Sequence, residues 1–504
     1  MDVNIYSKKI AKGAAIVFVG MLFSKVISYL YVALLARLGS SEYGLLSLAM
    51  AIISFASIFA LFGLGTGIIR YVSYYKGKQE NRKIKGVIFS SLRISLPIGL
   101  ILMVLLFIFS EEISILIFHN IALIPIIKLL SLTLPFISLS EIFFSVIIGF
   151  QKIEYKILIK EILENAIKLI LTFIVIYLGY NLFGVVIVYV LSIIITTLLS
   201  FYFLQKKVFP FFKTKIVPLL LTKELFIFSF PFILGGVLTL VIKWSDILMI
   251  GFFRTTSEVG VYNVALPTAN LLVIIPTSLM ALFMPIITEL YSKNKFKEIK
   301  KISYINSKWI FFLNFPIFLL ILLFSKEILN IMFGIEYVIG NGPLLILTGG
   351  YMVFSLVHIP NSILVMIKKT KLIFYISLIG ALVNIILNYF LISNFGIIGG
   401  AIATSFSLIL IFILTFISSY KLTKIQPLKL NYFKSILSGI ISFFTVFFII
   451  NLINKEVLFI SFILFSILFL IIYFLLLYLL RGFDKGDRDI MRSFYIKLKK
   501  IKLF

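Results

Sequence analysis

Apolar residues run along this chain in blocks of about 20, separated by short polar stretches dense in lysine. At a rise of about 1.5 Å per residue, a helix needs about 20 such residues to cross the hydrocarbon layer of a bilayer. Fourteen blocks reach or approach that length: 13–36, 44–68, 86–109, 122–149, 157–178, 183–204, 224–252, 260–287, 308–324, 343–367, 372–392, 396–419, 431–452 and 457–480. The pattern predicts an all-α integral membrane protein with 14 transmembrane helices. The stretch MDVNIYSKKIAKG leads into an apolar run too long for a signal-peptide core and is read as the approach to a retained first span. No connecting loop much exceeds about 20 residues, which leaves no room for a soluble catalytic domain, and no enzymatic activity is expected.

Composition agrees with a lipid environment: 61% of the 504 residues are hydrophobic, against about 45–50% in soluble proteins. The net charge of +27 suggests nucleic acid until its placement is considered. Thirty-eight of the 47 basic residues fall in alternate loops and the C-terminal tail, while the opposite loops hold Arg37, Arg254, Lys326 and Lys455. By the positive-inside rule both termini are cytoplasmic, in a multi-pass protein of the cell membrane. The excess is then a topology signal, with anionic lipid as a secondary contact and no nucleic-acid partner. With no cysteine and two histidines, a disulfide or thiolate metal site is excluded and no cofactor is expected.

An internal repeat organises the spans. SSEYGLLSLA (40–49) returns as TSEVGVYNVA (256–265), FSEEISILIF (109–118) as FSKEILNIMF (324–333), and NLFGVVIV (181–188) is echoed by SNFGIIGGA (393–401). The offset stays near 215, so spans 1–6 correspond to spans 7–12. An even number of spans per copy gives both copies the same orientation, related by an axis along the membrane normal. The expected layout is an N-terminal six-helix bundle (1–204), a cytoplasmic linker (205–223), a second six-helix bundle (224–419), two appended helices (420–480) and a basic tail (481–504). Two like-oriented bundles with a central cavity between them are a transporter architecture.

Ionisable residues inside spans cost roughly 2.5–3.5 kcal/mol each to insert and are seldom idle. Lys25 is deep in span 1. Lys243 and Asp246 are three apart in span 7, on one helix side, and are expected to pair. The lysines either line a wet cavity or belong to a buried ion pair with Asp246. Glu161, Glu164 and Lys168 share a face of span 5, and the i, i+4 spacing of Glu164 and Lys168 suits an internal pair. Glu141 in span 4 has no local partner, which leaves a proton or cation site or a basic partner on another helix. Arg93 and Lys128 are near enough to a membrane face to snorkel. Asn263 and Asn270 in span 8, and Asn384 and Asn388 in span 11, either bind sugar hydroxyls or bond helix to helix. His358 in span 10 is the one membrane histidine and could titrate near neutrality. Pro231, Pro267, Pro276 and Pro285 predict bends in spans 7 and 8, and GLGTG (63–67) predicts close helix packing.

RLGSSEYGLLSLAMAI, GLGTGIIRYVSYYKGK and WSDILMIGFFRTTSEVGVYNVA resemble the polysaccharide-biosynthesis flippases of the MOP (multidrug/oligosaccharidyl-lipid/polysaccharide) exporter superfamily. The resemblance implies a V-shaped transporter with spans 1, 2, 7 and 8 facing a central cavity. It also implies a polyprenyl-(pyro)phosphate-linked oligosaccharide as cargo, turned from the inner to the outer leaflet, with glycan-assembly proteins as possible partners. Lys25 and Lys243 would then hold the cargo phosphate, with Asp246, Asn263 and Asn270 beside them. Glu141, Asp246 and Glu164 are the carboxylates available for H⁺ or Na⁺ coupling. The alternatives are an ion-coupled multidrug or metabolite antiporter of the same superfamily, a membrane-embedded glycosyltransferase or polymerase, and a non-transporting scaffold for glycan assembly.

Overall fold

A computed structural model describes residues 20, 23–212, 216–426, 432–453 and 459–483. The basic tail beyond 483 and most of the approach to span 1 lie outside the described residues. Among the described residues every regular element is helical. Eleven helical runs are long and apolar enough to cross a membrane, and a shorter apolar helix, Phe23–Ala36, precedes them. The longest run, Thr370–Thr423, is two helices joined at Gly396, whose φ of 56° is open to glycine and breaks the helical path.

The chain divides into two compact units, residues 1–264 with 381–404, and residues 265–380 with 405–504. This division differs from the 1–204 and 224–419 division suggested by the repeat. The hairpin around Gly396 groups with the first unit.

In the first unit, Ser40–Leu61 and Leu64–Gly77 form one apolar run interrupted at Phe62 and Gly63, both with positive φ. Glycines allow a neighbouring helix to approach closely here. A Cβ on Gly63 would stand 2.5 Å from the Ser229 carbonyl oxygen, and one on Gly67 2.4 Å from Ser229 Oγ. The expected role of GLGTG in packing is thus seen against the Thr222–Phe253 helix. Leu64, Ile68, Val72, Ile88, Phe144 and Leu225 pack into the core beside it. The span at 153–177 is not a plain α-helix. A π-helical stretch, Ile157–Leu163, lies between Ile153–Lys156 and Glu164–Tyr177, which shifts the angular register of Lys160 and Glu161.

In the second unit, the proline effect expected in span 8 is explicit. The helix Ile274–Ser292 is preceded by a 3₁₀ turn, Asn270–Val273. Pro276 has no N–H, so the Leu272 carbonyl loses its helical donor. Asn314 Nδ2, fully buried on the Phe296–Leu323 helix, donates to that carbonyl at 2.7 Å. The appended helices Tyr432–Ile453 and Phe459–Leu479 pack on the same Phe296–Leu323 helix through Phe312, Leu319, Val446 and Phe469. Tyr473 ties them together: it donates to the Phe312 carbonyl at 3.0 Å and lies 2.6 Å from Ser435 Oγ.

Candidate functional site

Asp246 lies on the Thr222–Phe253 helix and is 1% exposed. Its carboxylate accepts hydrogen bonds from the Tyr262 hydroxyl at 2.6 Å, Asn388 Nδ2 at 2.6 Å and Thr404 Oγ1 at 2.5 Å. A second layer holds these donors. Ser245 Oγ donates to Asn384 Oδ1 at 2.6 Å, and Asn384 Nδ2 donates to Thr404 Oγ1 at 3.1 Å. The Gly396 break makes this possible, since it folds the two arms of the hairpin so that Asn384 and Asn388 on one arm meet Thr404 on the other. All of these groups belong to the first compact unit.

The expected Lys243–Asp246 pair is not formed. Hydrogen bonds to a charged group contribute about 1.5–3 kcal/mol each, so three supply roughly 4.5–9 kcal/mol. That exceeds the roughly 2.5–3.5 kcal/mol cost of the ion in the membrane, and no lysine is needed. Lys243 instead is exposed, with its ammonium 4.9 Å from the Trp244 ring centre. Lys25, on Phe23–Ala36, is exposed as well. Neither lysine forms a salt bridge among the described residues.

The other charged positions form a separate network in the same unit. Glu164 pairs with Lys168 at 2.6 Å, as the i, i+4 spacing predicts, and the Lys168 ammonium sits 4.3 Å from the Tyr189 ring centre. Glu141 finds its partner on another helix, in Lys160. Lys160 lies in the π-helical stretch Ile157–Leu163. Ser24 Oγ donates to Glu161 at 3.3 Å. Arg93 is exposed, and Lys128 lies 5.5 Å from the Phe107 ring centre.

Asn263 bonds helix to helix, donating to Ser47 Oγ at 2.6 Å and to the Tyr43 hydroxyl at 2.9 Å. Asn270 is half-buried in its 3₁₀ turn in the second unit, so the two asparagines expected on one face belong to different units. His358, also in the second unit, has a buried Nε2 without a hydrogen-bond partner and a ring 6.1 Å from Phe354.

Sequence reasoning missed Tyr262, Thr404 and Ser245 as partners of the Asp246 cluster. The available signal was the set of isolated polar residues in otherwise apolar spans 7, 8 and 12. Chemically, the cluster offers carboxylate and hydroxyl oxygens together with Asn388 Oδ1, a buried oxygen with no hydrogen-bond partner. Such a set suits a proton or a small hard cation.

Residues 10–291 match the family model described as polysaccharide biosynthesis protein, and residues 231–390 match the MatE model. An uncharacterized membrane protein of Methanocaldococcus jannaschii is 27% identical over 470 residues, which is 90% of this chain and 92% of that one. A Haloferax volcanii protein named "Probable low-salt glycan biosynthesis flippase Agl15" is 32% identical over 165 residues, 33% of this chain and 35% of that one. Among solved structures, the lipid II flippase MurJ in its inward closed conformation superposes with a TM-score of 0.75 at 18% identity. That superposition covers 94% of this chain and all of the other, and at such identity the likeness is one of fold. The family model spans more than half of the chain, and the fold agrees with it: the chain belongs to the polysaccharide biosynthesis protein family.

Proposed function

We propose that the protein is a glycan flippase. It moves a polyprenyl-phosphate- or pyrophosphate-linked oligosaccharide from the cytoplasmic to the outer leaflet by alternating access, and performs no covalent chemistry. Fourteen spans are inferred: the Thr370–Thr423 run counts twice across Gly396, and Phe23–Ala36 and the 153–177 segment each add one to the eleven long runs. The observation that carries the reading is the exposure of Lys25 and Lys243 within apolar spans, neither of them in a salt bridge among the described residues. Two exposed ammonium groups in a membrane-spanning chain call for an anion. Lysine binds phosphate as a point charge, and two of them suit the phosphate junction of a lipid-linked sugar. Family membership and the glycan flippase named among the relatives support the same cargo class.

Asp246 is the coupling carboxylate on this reading. Its neutral cage leaves the charge available to H⁺ or Na⁺ without the loss of a lysine partner. The appended helices favour the flippase over a drug antiporter, for which 12 spans would serve. The test is flipping of a lipid-linked oligosaccharide in reconstituted vesicles. Lys25→Ala and Lys243→Ala should each reduce the rate at least tenfold with normal membrane insertion, and arginine at either position should restore part of it. Full flipping by both alanine variants would overturn the proposal.

A further inference from the structure

The two copies of the repeated motif, SSEYG (40–44) and TSEVG (256–260), touch each other. Ser40 Oγ lies 2.8 Å from Ser257 Oγ, and Ser41 Oγ lies 3.0 Å from Thr256 Oγ1. In the repeat Ser40 corresponds to Thr256 and Ser41 to Ser257. Each bond therefore joins the first residue of one copy to the second residue of the other, and exchanging the copies reproduces the same pair. The glycines obey the same exchange. A Cβ on Gly44 would lie 1.8 Å from the Thr256 carbonyl oxygen, and one on Gly260 would lie 1.9 Å from the Ser40 carbonyl oxygen. This is an isologous interface of the kind found in two-fold dimers, made by two segments of one chain. One turn further in, the equivalent positions Ser47 and Asn263 meet each other, with Asn263 donating to Ser47 at 2.6 Å, so the positions keep the exchange while the residue types differ.

The motifs directly follow the two helices that carry the exposed lysines. Phe23–Ala36 ends four residues before Ser40, and Thr222–Phe253 ends three residues before Thr256. Lys25 and Lys243 lie 11 and 10 residues before those helix ends, or about 15–16 Å at the helical rise. We propose that the paired motifs are a gate, closed by backbone-to-backbone docking across Gly44 and Gly260 and opened when the two copies separate. By the charge distribution it is the outer gate. Its chemistry suits repeated opening. The side-chain contacts between the two motifs are hydroxyl pairs that water can replace. Small residues allow the backbones to seal without interlocking side chains. Because the same helices carry the lysines and end at the gate, cargo drawn between Lys25 and Lys243 acts on the gate through rigid elements.

The chain has no native cysteine, so engineered pairs can be read without background. Ser40→Cys with Ser257→Cys should form a disulfide on oxidation and lose at least tenfold in flipping rate, and reduction should restore the rate. Each single variant should be indifferent to oxidant. Failure of the pair to cross-link, or full flipping by the cross-linked protein, would overturn the gate. A second readout needs no cargo, so it separates failure of the gate from failure of the flippase reading. A Ser47→Cys reporter, buried one turn below the contact, should react several-fold faster with an external membrane-impermeant thiol reagent when Gly44→Ala is added. An unchanged labelling rate in a folded Gly44→Ala protein would overturn the proposal.

Discussion

Asp246 and Lys243 show how far spacing alone carries an argument. Three residues apart on a helix, they are placed to pair, yet Asp246 bonds to Tyr262, Asn388 and Thr404, while Lys243 is exposed. Spacing records which groups share a helix side. It does not record competing donors 142 and 158 residues away. Glu164 and Lys168 were legible because their geometry is local and no stronger competitor intervenes. For Glu141 a basic partner on another helix was one of two expected outcomes, and Lys160 could not be singled out as that partner because the π-helical stretch that sets its register leaves no mark in the hydropathy pattern. The separation of Lys243 from Asp246 has a measurable consequence. Stability losses from Lys243→Ala and Asp246→Asn should add, with a coupling below about 0.5 kcal/mol in a thermal-unfolding cycle in detergent. A coupling well above that would mean the pair interacts after all. Asp246→Ala should cost more than Asp246→Asn, since it removes both oxygens that accept from Tyr262, Asn388 and Thr404.

Among the helices, the apolar blocks predicted most of the elements, and their interruptions were partly readable. Prolines in span 8 announced a bend, and the fold places a 3₁₀ turn at Asn270–Val273. What the prolines could not announce was the remedy, the Asn314 amide on the Leu272 carbonyl. From this contact, Asn314→Leu should lower the unfolding free energy by about 1–3 kcal/mol, the cost of an orphaned buried carbonyl. Pro276→Ala in the same background should recover part of the loss, because it returns a helical N–H to that carbonyl. Circular-dichroism melts of the two single variants and the double variant would show it. Equal losses with and without Pro276 would mean that Asn314 serves another purpose. The break at Gly396 was legible as the gap between the apolar blocks 372–392 and 396–419, while its positive φ was not.

Across the chain, repetition was a legible feature. Lysine placement predicts the side of every loop at once, because moving a charged loop across the bilayer is opposed wherever lysines cluster. The orientation is tested by cysteine labelling in intact cells. A membrane-impermeant reagent should modify cysteine at Ile339, which is 77% exposed, and leave cysteine at Lys297 untouched. The reverse pattern would overturn the topology and turn the proposed outer gate into an inner one. The repeat was readable as similarity, and the isologous meeting of its two copies was not. Similarity shows that two segments share an ancestor or a role, whereas complementarity between them depends on where the intervening spans deliver each end. The compact units show the same thing, since residues 381–404 group with the first half of the chain.

The cluster around Asp246 also sets an order of events during synthesis. Tyr262 emerges 16 residues after the aspartate, but Asn388 follows by 142 residues and Thr404 by 158. At about 5–20 residues per second, ribosomes take roughly 7–30 s to make the missing donors. For that interval the span carrying Asp246 enters the bilayer with its carboxyl group served by Ser245 and Tyr262 and without Asn388 and Thr404. A nascent chain arrested shortly after residue 290 should therefore hold this segment less firmly than one arrested after residue 430. Completion of the hairpin around Gly396 is then a step of membrane assembly as well as of folding.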